Sequence, residues 1–243
     1  MMPSEAPEAP VPPIPVADAW LGVSDDLLWG INHALSNRLA AVAAVVRILQ
    51  FSDTGLDPLF SVLGQEITNL EKTIALLRLL PRNPDEQPEP VHLTDTLTSV
   101  LALHRLQSDG RDLEYEVDAA PDVLPVWIEP STLAHALLLL LSSAARIAER
   151  AGNTSISVTC RGDEDWATLA IESPPPQPGA GEAEESEWDD SWKPVDARVV
   201  EVLLEGAGGE LMESRFAGDP ARGVCYRMRL PTLLAVRRTR NGI

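Results

Sequence analysis

Basic residues are scarce in this sequence: 19 Lys and Arg stand against 37 Asp and Glu, a net charge of −18 over 243 residues. Nucleic-acid backbones are held by clustered Lys and Arg, so this balance excludes a nucleic-acid partner. The short basic run Arg237-Arg238-Thr239-Arg240 is too small to reverse that and reads as a solvated tail. Cysteine is nearly absent. Cys160 and Cys225 have no CxxC spacing and no adjacent histidine, which argues against metal or redox chemistry and leaves two apolar fillers or a pair. Long apolar runs are missing too, with no stretch approaching the roughly 18 residues that span a bilayer. The Pro- and Glu-rich start (Pro3, Glu5, Pro7, Glu8, Pro10) matches neither a signal nor a transit peptide. A cytoplasmic protein is expected, with no membrane partner and with its signal received from another protein.

The remaining composition, 44% hydrophobic and 23% charged, is that of a globular chain of one or two domains. Residues 1–22 read as a disordered Pro-rich lead. Ser24 is placed to cap a helix running to Gln50. Within it Leu28, Leu35, Val42 and Leu49 recur every seven residues, and Ile31, Leu39 and Val46 widen the stripe. Ser52-Asp53-Thr54-Gly55 breaks the pattern, and Asp57-Pro58 restarts it as cap and first helical residue. Leu63, Leu70 and Leu77, with Leu59, Ile67 and Ile74, form the second apolar face. Two such helices make a hairpin over 23–81 that cannot cover its own stripes. A second copy would bury them in a dimeric four-helix bundle.

Residues 82–91 form a polar, Pro-rich linker. Beyond it the period changes. Helices are expected near Thr94–Leu106, from Pro130 to Glu149, and near Val195–Leu204. Strands are expected at Leu113–Val117, near Val126, at Thr154–Cys160, Trp166–Ile171, Glu210–Phe216 and Val224–Leu230. Residues 173–194 are an acidic, Pro-rich loop, and 233–243 a tail. The region 92–232 is therefore an α/β sandwich with helices on one face of a mixed sheet, and the whole chain is α+β.

This order of parts, and several short motifs within it, resembles the sensor histidine kinases. Asn32-His33-Ala34-Leu35-Ser36-Asn37-Arg38-Leu39-Ala40 is similar to that family's phosphoacceptor box. Leu93-Thr94-Asp95-Thr96-Leu97 resembles the start of its ATP domain, and Glu129–Leu133 with Leu137–Ala145 the approach to its Asn-rich helix. Val199–Glu201, Gly208–Leu211 and Tyr226–Pro231 resemble its last helix and closing strands. The resemblance implies that His33 accepts a phosphoryl group. The seven-residue phase agrees, since it turns His33 away from the Leu28–Leu35 seam and toward water.

The departures fall on the nucleotide chemistry. The acidic residue expected after the histidine is Ala34. The two asparagines that the family uses for nucleotide phosphates and Mg²⁺ align with Leu139 and Ser143, which supply no adequate oxygen ligands. The Asp-Gly motif is replaced by Glu172-Ser173-Pro174-Pro175-Pro176, and the glycine-rich lid by a run of carboxylates from Glu182 to Asp190. No cofactor and no metal are therefore expected, and autophosphorylation from ATP is not.

Two functions follow from the resemblance. One is a histidine phosphotransferase that passes phosphoryl groups between response-regulator receiver domains through His33. The other is a non-catalytic regulator or scaffold that binds a partner through the degenerate sandwich or its acidic loop. A kinase with an unusual ATP site ranks behind both. Asn37, one turn on, either orients the imidazole or assists dephosphorylation of a receiver, or is simply solvated. Arg38 contacts a phosphoryl group or pairs with a nearby acid. Trp29, Ser36 and Ala40 are expected to dock a partner, Trp29 having the alternative of covering the bundle end. His92, His104 and His135 lack a motif, and His135 reads as a core residue.

Overall fold

The computed structural model describes residues 16–51, 56–79, 86–107, 113–173, 195–215 and 224–241. The expected lead (1–15) and most of the acidic loop (174–194) lie outside the described residues. Helices α1 (Val16–Phe51) and α2 (Leu56–Leu76, followed by a 3-10 turn at Leu77–Leu79) form the hairpin. Then come β1 (Glu89–Val91), α3 (Leu93–His104), β2 (Glu114–Ala119), β3 (Val126–Ile128) and α4 (Pro130–Arg150). The chain closes with β4 (Ser155–Gly162), β5 (Trp166–Ser173), α5 (Val195–Glu205), β6 (Glu210–Arg215), β7 (Val224–Pro231) and α6 (Leu233–Asn241).

Five strands form one sheet in the order β2-β4-β5-β7-β6, parallel between β2 and β4 and antiparallel elsewhere. Alternation sets its inner face. Ile156, Val158 and Cys160 of β4, Leu169 and Ile171 of β5, and Tyr226 and Met228 of β7 are all buried. The register aligns them in rows: Val158 opposite Ile171 and Cys160 opposite Leu169, then Ile171 opposite Tyr226 and Leu169 opposite Met228. Helix α4 packs on this face, with α3 and α5 against it. Pro130 starts α4, where its missing amide has no helical partner to lose. Gly152 follows the helix end with a φ of 68°, a conformation that favours glycine.

Four expectations are corrected. Helix α1 begins at Val16, so residues 16–22 are helical and Ser24 is internal rather than a cap. From Val16 to Asp57 the sequence holds no proline, and Ser24 alone cannot stop a helix that has already started. Residues 89–91 of the linker are a strand paired with β3. The tail is also structured. Thr232 caps α6 by accepting the Ala235 amide at 3.1 Å, and Arg238 reaches Glu164 at 2.7 Å and Asp165 at 3.1 Å in the β4–β5 turn. Finally, Pro130–Glu149 is long and apolar enough to cross a membrane by length and composition. Most of that helix is buried inside the fold, because it is sandwiched between the sheet and other helices.

The hairpin seam is also corrected at one end. Leu28 is 51% exposed, whereas Leu27 and Ile31 are buried. The first half of α1 lies against α4 and α5, so burial there follows the sandwich and not the hairpin. Farther along, Leu35, Val42 and Leu49 are half-buried as the seven-residue phase requires.

Candidate functional site

At 100° per residue, Trp29, His33, Ser36, Asn37 and Ala40 fall within about 100° of helical arc. All five are exposed on that face of α1. The Trp29 and His33 rings stack, with centroids 5.4 Å apart and planes 1° from parallel. On the other side of the imidazole, the Asn37 side-chain amide Nδ2 donates to His33 Nε2 at 3.0 Å. In the tautomer protonated at Nδ1, Nε2 accepts this hydrogen bond. The result is a surface-facing imidazole with Trp29 and Asn37 as its neighbours on the helix. Asn37 is therefore in contact with the imidazole.

Arg38 is half-buried and pairs with Glu66 of α2 at 3.4 Å, so in this state the nearby acid holds it. Around these residues lies an open groove of about 440 Å³. Its lining comes from three elements: Gly30, His33, Ala34, Asn37 and Arg38 of α1, Glu66 of α2, and Arg105 with Leu106 from the turn after α3. The close approach at one end is made by Gly30, where an added Cβ would lie 1.9 Å from the Leu106 carbonyl oxygen. The expected residues His33, Asn37 and Arg38 are thus brought together, while Gly30, Glu66, Arg105 and Leu106 are additions. Only Gly30 left a signal: a mid-helix glycine costs about 1 kcal/mol against alanine, which marks a close contact.

Leu139 and Ser143 are elsewhere. Both are fully buried on α4, and the Ser143 hydroxyl lies 2.8 Å from the Tyr226 hydroxyl. The sheet covers α4 on one side, and α1 with the 3-10 turn also packs against it. Neither side chain presents an oxygen to an open cleft. Restoring the family's asparagine by Leu139→Asn is expected to destabilise the protein by about 2–4 kcal/mol, because a buried amide replaces a packed leucine. Urea denaturation measures this.

The other histidines are structural. The His104 imidazole is buried, with Nδ1 2.8 Å from the Tyr115 hydroxyl. His92 is exposed just before α3. His135 is 7% exposed, and burial lowers its pKa from 6.5 to about 4. Between those values the unfolded chain binds a proton that the folded chain refuses, so stability falls as pH drops from 6.5 toward 4. The loss reaches about 3 kcal/mol near pH 4. His135→Phe is expected to flatten this part of the stability profile, measured by denaturation from pH 4 to 7.

No family model matches the chain. By sequence it is 23% identical over 152 residues to sporulation kinase E of Bacillus subtilis (strain 168), a match covering 62% of this chain and 20% of that protein. The chain thus spans about a fifth of the length of this curated relative. Among solved structures it is similar to the mycobacterial sensor histidine kinase MprB, at 22% identity and a TM-score of 0.41, covering 59% of this chain and 97% of that one. It is also similar to the histidine kinase AdeS of Acinetobacter baumannii, at 16% identity and a TM-score of 0.44, covering 83% and 98%. The similarity to sporulation kinase E, together with the order of a helical hairpin followed by an α/β sandwich, supports a histidine-kinase-like fold.

Proposed function

We propose that this is a two-component signalling protein of the cytoplasm that acts as a histidine phosphotransferase, taking phosphoryl groups from one receiver domain and giving them to another through His33. The observation that carries the reading is the exposed His33 imidazole, with its Nε2 3.0 Å from the Asn37 side-chain amide. The family's nucleotide positions, Leu139 and Ser143, are buried in the core and offer nothing to ATP. The donor is then a receiver's aspartyl phosphate, and the receiver brings its own Mg²⁺. Nε2 attacks the phosphorus, the N–P bond forms, and the acyl O–P bond breaks to leave the aspartate carboxylate. Asn37 must release Nε2 as the receiver docks. The Nδ1 proton can pass to water once the ring becomes phosphorylated.

The test offers two labelled donors in parallel, ATP and a phosphorylated receiver, to the intact chain. Label from the receiver supports the reading, and label from ATP would show a working kinase instead. Label from neither, across a panel of receivers, would leave the non-catalytic regulator.

A homodimer belongs to the same proposal. Leu39 and Val46 of α1 and Phe60, Ile67 and Ile74 of α2 are exposed, seven residues apart along each helix. This is the stripe that a second hairpin would cover. His33 lies roughly 120–140° of arc from Leu39 and Val46, so the pairing would leave it accessible. Ile67→Asp is expected to convert a dimer to a monomer in analytical ultracentrifugation. A wild-type monomer at all concentrations would refute the pairing.

A further inference from the structure

We propose that the sandwich completes a phosphoryl-binding cleft on the hairpin, with Arg105 contacting the phosphoryl group as it passes through His33; this rests on the phosphotransferase reading above. Arg105 follows α3, far in sequence from the hairpin, yet it lines the same groove as His33, Asn37 and Arg38. Its position there is built. Gly30, one turn before Ala34, lets the Leu106 carbonyl come so close to α1 that no side chain would fit between them. Next to this contact, the Arg105 guanidinium lies 5.8 Å from the centre of the Tyr115 ring. Tyr115 is in turn fixed by its bond to the buried His104. A buried pair thus braces an exposed arginine that lines the groove of His33.

Within the groove, charge favours the same residue. In a chain with 37 acids and 19 bases, Arg105 has no carboxylate partner among the described residues. Arg38 differs, being engaged by Glu66. Counting the groove's ionic groups, two arginines face one glutamate, a local excess of positive charge in an acidic protein. An incoming phosphoryl group is anionic through its non-bridging oxygens, and a planar guanidinium can bind two of them at once. The same contact would hold the dianion after transfer to Nε2.

Phosphoramidate tests this without a receiver. The His33 Nε2 attacks its phosphorus, the N–P bond forms, the bond to the amine breaks and ammonia leaves, with the Nδ1 proton passing to water. Intact-mass and peptide mapping follow phosphorylation at His33 in the full chain, in Arg105→Ala and in Arg105→Lys. We expect Arg105→Ala to slow labelling about tenfold and Arg105→Lys to regain part of the rate. Inorganic phosphate should slow the wild type by competition and leave Arg105→Ala unaffected, a readout that a merely structural role would not move. Because Arg105 is exposed and loses only its contact with the Tyr115 ring, the thermal midpoint should fall only slightly. Equal rates and equal phosphate inhibition in wild type and Arg105→Ala would overturn the assignment of Arg105 while leaving His33 as phosphoacceptor. No phosphorylation of wild-type His33 by phosphoramidate or by any receiver would overturn both.

Discussion

Replacing His33 with alanine is expected to abolish phosphoryl transfer from a receiver, by about a thousandfold or more, while the fold survives. The size follows from the chemistry: without Nε2 there is no atom to form the N–P bond, and removal of a nucleophile is among the most costly changes an enzyme can suffer. The fold should be indifferent because the His33 ring lies at the surface, stacked on an equally exposed Trp29. Asn37→Ala is the graded companion. It removes one hydrogen bond to Nε2 and leaves the nucleophile, so a loss of about three- to tenfold is expected. Radiolabel on the chain after mixing with a phosphorylated receiver measures both. Equal transfer by His33→Ala would move the phosphoacceptor to another residue.

The second large effect concerns stability. Gly30→Ala should destabilise the protein by about 1–3 kcal/mol, although alanine is the better helix former by about 1 kcal/mol. The new Cβ would sit 1.9 Å from the Leu106 oxygen and 2.7 Å from its carbonyl carbon, both backbone atoms that can move only if α1 and the sandwich part. Gly64 is the matched control. It lies in α2 with nothing within 4 Å of an added Cβ, so Gly64→Ala should stabilise by about 0.5–1 kcal/mol. Denaturant midpoints of the two variants should therefore move in opposite directions. If both rise, the contact between Gly30 and Leu106 does not hold the two parts together.

Much of the fold was legible because its signals are local. Alternation in 155–162 and 166–173, and Pro130 opening an apolar helix, locate elements without tertiary information. What failed was settled by distant partners. Leu27 and Ile31 belong to the core shared with the sandwich, where α1 packs on α4 and α5, and no heptad count on α1 includes those partners. The strand at 89–91 exists because β3 is there to pair with it, and its Pro90 argued against any strand. Helix α6 is fastened by Arg238 to acids some seventy positions earlier. At the site, the box around His33 was readable as one turn of helix after another. Arg105 and Glu66 were not, since they reach the groove only when the chain has folded.

The order of the sheet has a consequence for how the protein behaves in concentrated solution. Strands β2 and β6 lie at its two edges, where unpaired backbone groups can recruit a strand from another molecule. Both edges carry carboxylates: Glu114 and Glu116 on β2, and Glu210 on β6, which lies 3.8 Å from Arg229. Two such edges approaching each other meet like charge before any hydrogen bond can form. Part of the chain's acidity thus acts as colloidal protection.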